Sequence, residues 1–213
     1  MRRTLVVLVC LGALVAPSPV AAAGAVAGAT ADDPLTRTHL LTGEDHASVY
    51  PDLRDRSRSV LRSPLFAPRG CDDRALLVRG TGRIQGSVSP VGRRSSVSLI
   101  DQNLVRLESR REARALVRRY RLFSKECVGD VRTDDGEGGT VLLKNRAWSP
   151  PRVGDQSAGM LIGWFSRGGV DWRRVLAVRV GRTVSVLDVG FTGSRPPRAG
   201  VVALGERAAD RLR

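Results

Sequence analysis

The sequence predicts an α+β domain, an antiparallel β-sheet carrying helices, closed by a single disulfide and preceded by a signal peptide. Three observations predict it. After residue 140, β-branched and aromatic residues gather in four short runs, the last two joined by a two-residue turn that begins with glycine. One amphipathic helix opens at Ser109 with a cap sequence. Two cysteines, Cys71 and Cys127, remain once an apolar leader is set aside. With 213 residues, 42% hydrophobic and 26% charged, the chain has room for one modest domain. That composition excludes wholesale disorder and a bundle of membrane spans.

Met1, Arg2 and Arg3 form a short positive segment, and Leu5 to Ala16 is an apolar run too short to span a bilayer comfortably. Small residues suited to signal-peptidase cleavage stand at Ala21/Ala23, Ala27/Ala29 and Ala29/Ala31. Cleavage after Ala31 is favoured, which makes residues 1–31 a Sec signal peptide, 32–213 the mature domain, and the protein secreted or extracytoplasmic. An uncleaved membrane anchor is the competing reading, and Pro17, Pro19 and several glycines argue against it. Cys10 follows Val9 inside the apolar run, a poor context for lipidation. In an oxidising compartment the two mature cysteines are expected to pair, closing a loop that stabilises the fold by about 4 kcal/mol on the chain-entropy estimate. A reactive thiol would want a Cys-x-x-Cys pair or a partner histidine, and neither is near.

Along the mature chain, Thr42 is placed to cap a short helix ending near Pro51. Asp52 to Gly70, rich in Arg, Ser and Pro, reads as a surface connection. Alternation from Ala75 to Val91, and again through Val97, Leu99, Val105 and Leu107, reads as strands. Ser109-Arg110-Arg111-Glu112 is a capping box, and the helix it starts runs to about residue 124. Ala113, Leu116, Val117, Tyr120 and Phe123 fall on one stripe of that helix, which therefore packs on the sheet. Asp134 to Gly139 is an acidic turn without the spacing of a calcium loop. Strands follow at Thr140–Trp148, Ala158–Ser166, Trp172–Val180 and Thr183–Phe191, and Gly181-Arg182 suits a type II′ hairpin. In the last strand the apolar set shifts from Val184/Val186 to Leu187/Val189/Phe191. That slip means either a bulge near residue 186 or burial of both faces. Val201, Leu204, Ala208 and Leu212 recur at helical spacing and close the chain.

Lys and Arg total 35 against 21 Asp and Glu, and Lys occurs only at Lys125 and Lys144. Outside a bacterial membrane such a field meets anionic lipid, phosphorylated wall polymer or acidic glycan rather than nucleic acid. An Arg-for-Lys, Ala/Gly/Val-rich composition is also what a GC-rich coding sequence gives any protein. Arg110, Arg111, Arg114, Arg118 and Arg121 share one flank of the capped helix, which makes them the candidate anion-binding residues; a solvated Arg-rich face is the plainer reading. Trp148, Trp164 and Trp172 are the candidate lining of a ligand cleft, against a simple core role. His39 and His46 have no Cys, Glu or second His at ligand spacing, so no metal, cofactor or Ser-His-Asp triad is expected. The glycines of Gly80 to Gly86 read as strand bends rather than a nucleotide loop.

The run Val105-x-Leu107-x-Ser109-x-x-x-Ala113-x-x-x-Val117, then Cys127, Val153-Gly154-Asp155 and the hairpin Val178 to Val184, resembles the PknH-like extracellular sensor domains of actinobacterial envelope proteins. The resemblance extends over most of residues 38 to 213. It implies a twisted antiparallel sheet flanked by helices, disulfide-paired cysteines, and a cleft for an unknown ligand. The chain departs from that pattern in having two mature cysteines where two bridges are usual, and Phe123 where a Trp commonly stands. No functional residue transfers, because the motifs are structural. The expectation is an exported, non-enzymatic, sensor-like domain binding a small molecule, glycan or anionic envelope ligand. The alternatives are a cationic surface protein that makes peripheral contact with anionic lipid or wall polymer, and an envelope hydrolase. The exported protein is predicted to begin between residues 24 and 32. N-terminal sequencing from culture medium checks this, and intact Met1 in the membrane fraction would replace the signal peptide with an anchor.

Overall fold

The computed structural model of the chain describes residues 34–213 apart from 54–55, 70, 72–74, 92–94 and 135–138. The signal peptide expected at 1–31 and the centre of the acidic turn lie outside the described residues. In chain order the elements are α1 (Gly43–Val49), β1 (Arg56–Leu61), β2 (Phe66–Pro68), β3 (Ala75–Leu77), β4 (Gly82–Pro90), β5 (Val97–Arg106) and α2 (Arg110–Glu126). They continue with β6 (Gly129–Asp134), β7 (Thr140–Trp148), β8 (Gln156–Ser166), β9 (Gly169–Val180), β10 (Thr183–Thr192) and α3 (Arg198–Asp210). Eight strands form one antiparallel sheet in the order β1-β4-β5-β10-β9-β8-β7-β6, and β2 pairs with β3 beside it. This is the expected α+β class.

The two central strands are apolar on both faces. Val184 and Val186 meet Leu116, Val117 and Tyr120 of α2 on one side. Leu187, Val189 and Phe191 meet Val201 and Leu204 of α3 on the other. The slip along β10 is therefore double-sided burial, not a bulge near residue 186; the single register shift against β5 falls at Gly190/Phe191. Gly181 has φ +59° while no non-glycine residue among those described, Arg182 included, has positive φ, so the β9–β10 turn has the glycine-first form expected of type II′.

Helix α2 buries Ala113, Leu116, Val117 and Tyr120 of the expected stripe, while Phe123 is half-buried and Ser124 is buried beside it. Its capping box is only half formed. The Ser109 hydroxyl accepts the Glu112 N–H, but the Glu112 carboxylate accepts from Glu108 N rather than from Ser109 N. The full box occurs instead at α1, where Thr42 Oγ1 accepts the Asp45 N–H and Asp45 accepts the Thr42 N–H. Three strands escaped the sequence pattern. The segment read as a surface connection contains β1 and β2, and β6 follows α2 almost at once. Strand β1 reads Arg-Ser-Arg-Ser-Val-Leu and β6 reads Gly-Asp-Val-Arg-Thr-Asp. Both are sheet edges, where charge guards against further pairing and no apolar face is required.

The segment before β1 seals the α3 side of the sheet. Leu41 N donates to the buried Gln102 Oε1 at 2.7 Å, and Gln102 Nε2 donates to Ser185 Oγ at 3.2 Å. Asp45 then receives Arg211 at 2.8 Å and Arg207 at 3.6 Å, which ties α1 to α3. His46 is buried within this seal, where burial and the positive charges of Arg58 and Arg56 hold its imidazole down at about 4, against the opposing pull of Asp45.

Cys71 and Cys127 form the expected disulfide, with Cα atoms 4.9 Å apart, and join the end of α2 to the segment between β2 and β3. The separation of 56 residues sets the loop entropy. Replacing both cysteines by serine is predicted to lower unfolding free energy by about 4 kcal/mol in urea titrations. A second prediction concerns acid. The folded-state value of His46 lies below its ordinary 6.5, so the unfolded chain binds the extra proton. Stability is complete above pH 6.5 and falls as pH drops towards 4, by about 3 kcal/mol. The His46→Gln variant should lack this slope when urea midpoints are compared at pH 7 and pH 4.5.

Candidate functional site

Helix α2 lies across β8, β9 and β10 and brings its C-terminal half against the end of β7. The contact is specific: Trp148 N donates to Ser124 Oγ at 3.2 Å, while Ser124 Oγ donates to Trp148 O at 3.4 Å. Beside it the 149–157 loop is pinned by Ser157, whose hydroxyl accepts from Val153 N and donates to Pro151 O. Between helix and loop opens a cleft of about 270 Å³, lined by Arg121, Ser124, Lys125, Trp148, Ser157 and Gly159 among others. Gly159 stands directly opposite Trp148, and a Cβ there would strike the indole, so only glycine lets the ring lie flat on β8. Behind the ring, the Arg174 guanidinium stacks at 4.6 Å. The cleft thus has Trp148 in its lining, serine residues, and two cations at its rim.

The guanidinium row divides. Arg110, Arg111, Arg114 and Arg118 are exposed and have no ion-pair or hydrogen-bond partner among the described residues. Arg121 turns back to the sheet, donating to Ser157 O at 3.0 Å, and so joins the cleft. Arg118 lines a second groove of about 340 Å³ with Arg119, Leu122 and Pro68.

The three tryptophans do not line one cleft. Trp148 and Trp172 lie opposite Gly159 and Gly163 and share the α3 side of the sheet. Trp172 is 7% exposed and packs edge-on against Phe165 at 5.4 Å, with Arg195 stacked at 4.6 Å. Trp164, an odd step from Gly163, points to the opposite face, where Arg173 lies 5.2 Å from its ring. Strand alternation alone dictates this split. That second face also carries a group the sequence did not single out. Arg173 bridges Asp188 at 3.0 Å, and Asp101 stands opposite Asp188 across β5 and β10, hydrogen-bonded by Ser87. Burial raises the Asp188 carboxyl against the pull of Arg173. Only the strand register reveals this carboxylate pair, because the two acids are far apart in sequence. Among the described residues no three His, Cys, Asp or Glu side chains gather as a metal site.

The Val153-Gly154-Asp155 motif also proves structural. Gly154 has φ +60°, and Asp155 Oδ2 accepts from Gly181 N and from Arg179, both at 2.9 Å, fastening the loop to the β9–β10 turn.

No family model and no curated protein matches the chain. Among solved structures it is similar to the extracellular domain of PknH from Mycobacterium tuberculosis, with a TM-score of 0.59 and 14% sequence identity. The match covers 84% of this chain and 97% of that one. The chain therefore shares the fold of the PknH extracellular domain.

Proposed function

We propose that this chain is an exported, non-enzymatic, sensor-like domain that binds a small anionic ligand of the cell envelope, such as an acidic or phosphorylated sugar, in the cleft between α2 and the 149–157 loop. The observation that carries the proposal is the convergence of Arg121, Lys125 and Trp148 on one cavity. Guanidinium and ammonium groups recognise carboxylate or phosphate. The shared fold with an extracellular domain and the apolar N-terminal segment support export. A second reading, attachment to anionic lipid or wall polymer, draws on the unpartnered Arg110, Arg111, Arg114 and Arg118. A hydrolase has less support, because Asp188 of the Asp101/Asp188 pair is held by Arg173 and the pair lies apart from the cleft residues.

A screen of the exported protein against envelope glycans and lipids at two salt concentrations separates these readings. The Arg121→Gln/Lys125→Gln variant is expected to lose on the order of tenfold or more in affinity for the cleft ligand, since hydrogen bonds to charged groups contribute about 1.5–3 kcal/mol each. The Arg114→Gln/Arg118→Gln variant should bind that ligand like the parent. If instead only the second variant fails, and it fails on anionic vesicles with steep salt dependence, the surface reading replaces the cleft.

A further inference from the structure

On the α3 side of the sheet, a buried cation faces an uncapped helix start. Arg174 is 4% exposed, and its buried Nη1 has no hydrogen-bond partner among the described residues. Its Nε donates to Pro196 O at 3.0 Å, which fixes the guanidinium against the residue just before the N-cap of α3. That N-cap is Pro197, which offers no side-chain acceptor, so the first N–H groups of this 13-residue helix lack the usual cap. Tyr50 reaches the same turn. Its buried hydroxyl has no partner among the described residues, and a Cβ on Gly200 would stand 2.6 Å from it.

The charge here is one-sided. Arg195 and Arg198, both exposed, flank the helix start. The charged groups that act on Arg174 are Arg198, Arg195 and the Tyr50 phenol, with no carboxylate among them, and burial with the two arginines brings the guanidinium down to about 10. A buried guanidinium is ordinarily matched by an acid, as Arg179 is by Asp155. At Arg174 no counter-charge is found among the described residues.

We infer that the start of α3 is an anion site for a phosphate monoester, held by Arg195, Arg198 and the first backbone N–H groups of the helix, with Arg174 as the buried charge behind them. A helix N-terminus directs its N–H groups and the positive end of its dipole at such an oxyanion. Arginines match phosphate oxygens in pairs. Arg195 is pre-positioned by its stack on Trp172 and Arg174 by its stack on Trp148. The monoester belongs either to a soluble metabolite or to a lipid head group.

The exported, oxidised protein is titrated at low salt with inorganic phosphate and with glycerol 3-phosphate while its thermal midpoint is followed. It is also sedimented with phosphatidylcholine vesicles with and without phosphatidic acid. The parent should bind, and the Arg195→Gln/Arg198→Gln variant should lose on the order of tenfold or more in affinity with unchanged far-UV circular dichroism. A raised midpoint with glycerol 3-phosphate assigns the site to a soluble monoester, and binding only to phosphatidic acid vesicles assigns it to a lipid. The Arg121→Gln/Lys125→Gln variant should behave as the parent, which keeps this test separate from that of the cleft. Absence of binding in the parent, retention of binding in Arg195→Gln/Arg198→Gln, or equal loss in the cleft variant would overturn the inference.

Discussion

Everything in this fold depends on strands β9 and β10 being apolar on both faces. Leu176, Val178, Leu187 and Val189 stay dry only beneath α3 and the N-terminal segment, while Val175, Ala177, Val184 and Val186 stay dry only beneath α2. An antiparallel sheet with one wet face needs a single cover; this one needs two. The N-terminal segment is therefore part of the core, and its polar backbone has to be accommodated inside it. Gln102 does this from the middle of the sheet, accepting the Leu41 N–H and donating to Ser185. A buried amide of this kind is stabilising only because both ends are matched, since either group left alone would cost about 1–3 kcal/mol.

The same geometry explains how so basic a chain keeps its arginines. Most lie on the outer face of α2, at edge strands or in turns, where water solvates them. Two enter the sheet from β9 and face the helices. Arg179 is neutralised by Asp155, which also holds the Gly181 N–H and so couples the charge pair to the hairpin turn. Arg174 has aromatic contact with Trp148 and a carbonyl at Pro196, but neither supplies negative charge. The contrast between two buried guanidinium groups on one strand sets Arg174 apart.

How much of this was readable beforehand follows from what each pattern encodes. The stripe of α2, the four strands after residue 140, the Gly181 turn and the Cys71–Cys127 bridge were readable because burial, backbone sign and cysteine count are local or compositional. Strands β1 and β6 were not, because an edge strand is defined by backbone pairing and its side chains answer only to solvent. The slip along β10 admitted two readings, and only the presence of a helix on each face decides between them. For the candidate sites the limit was register. Period two states which residues of one strand share a face, but not which residue of the next strand stands beside them. Hence Trp148 and Trp172 fall together, Trp164 falls opposite, and Asp101 meets Asp188.

Trp148 occupies an unusual place between these features. One side of its environment is the cleft with Arg121 and Lys125; the other is the stacked Arg174, whose Nε is tied to the segment leading into α3. Its backbone is locked to Ser124 of α2, and Gly159 fixes the plane in which the indole can lie. The ring therefore has little freedom to tilt without losing contact on one side. Substitutions at Ser124 and at Arg174 share this residue as a partner, and energies at sites with a common partner are not additive. The sheet, built to be dry on both faces, thus places one aromatic side chain at the junction of the α2 cleft and the helix start of α3.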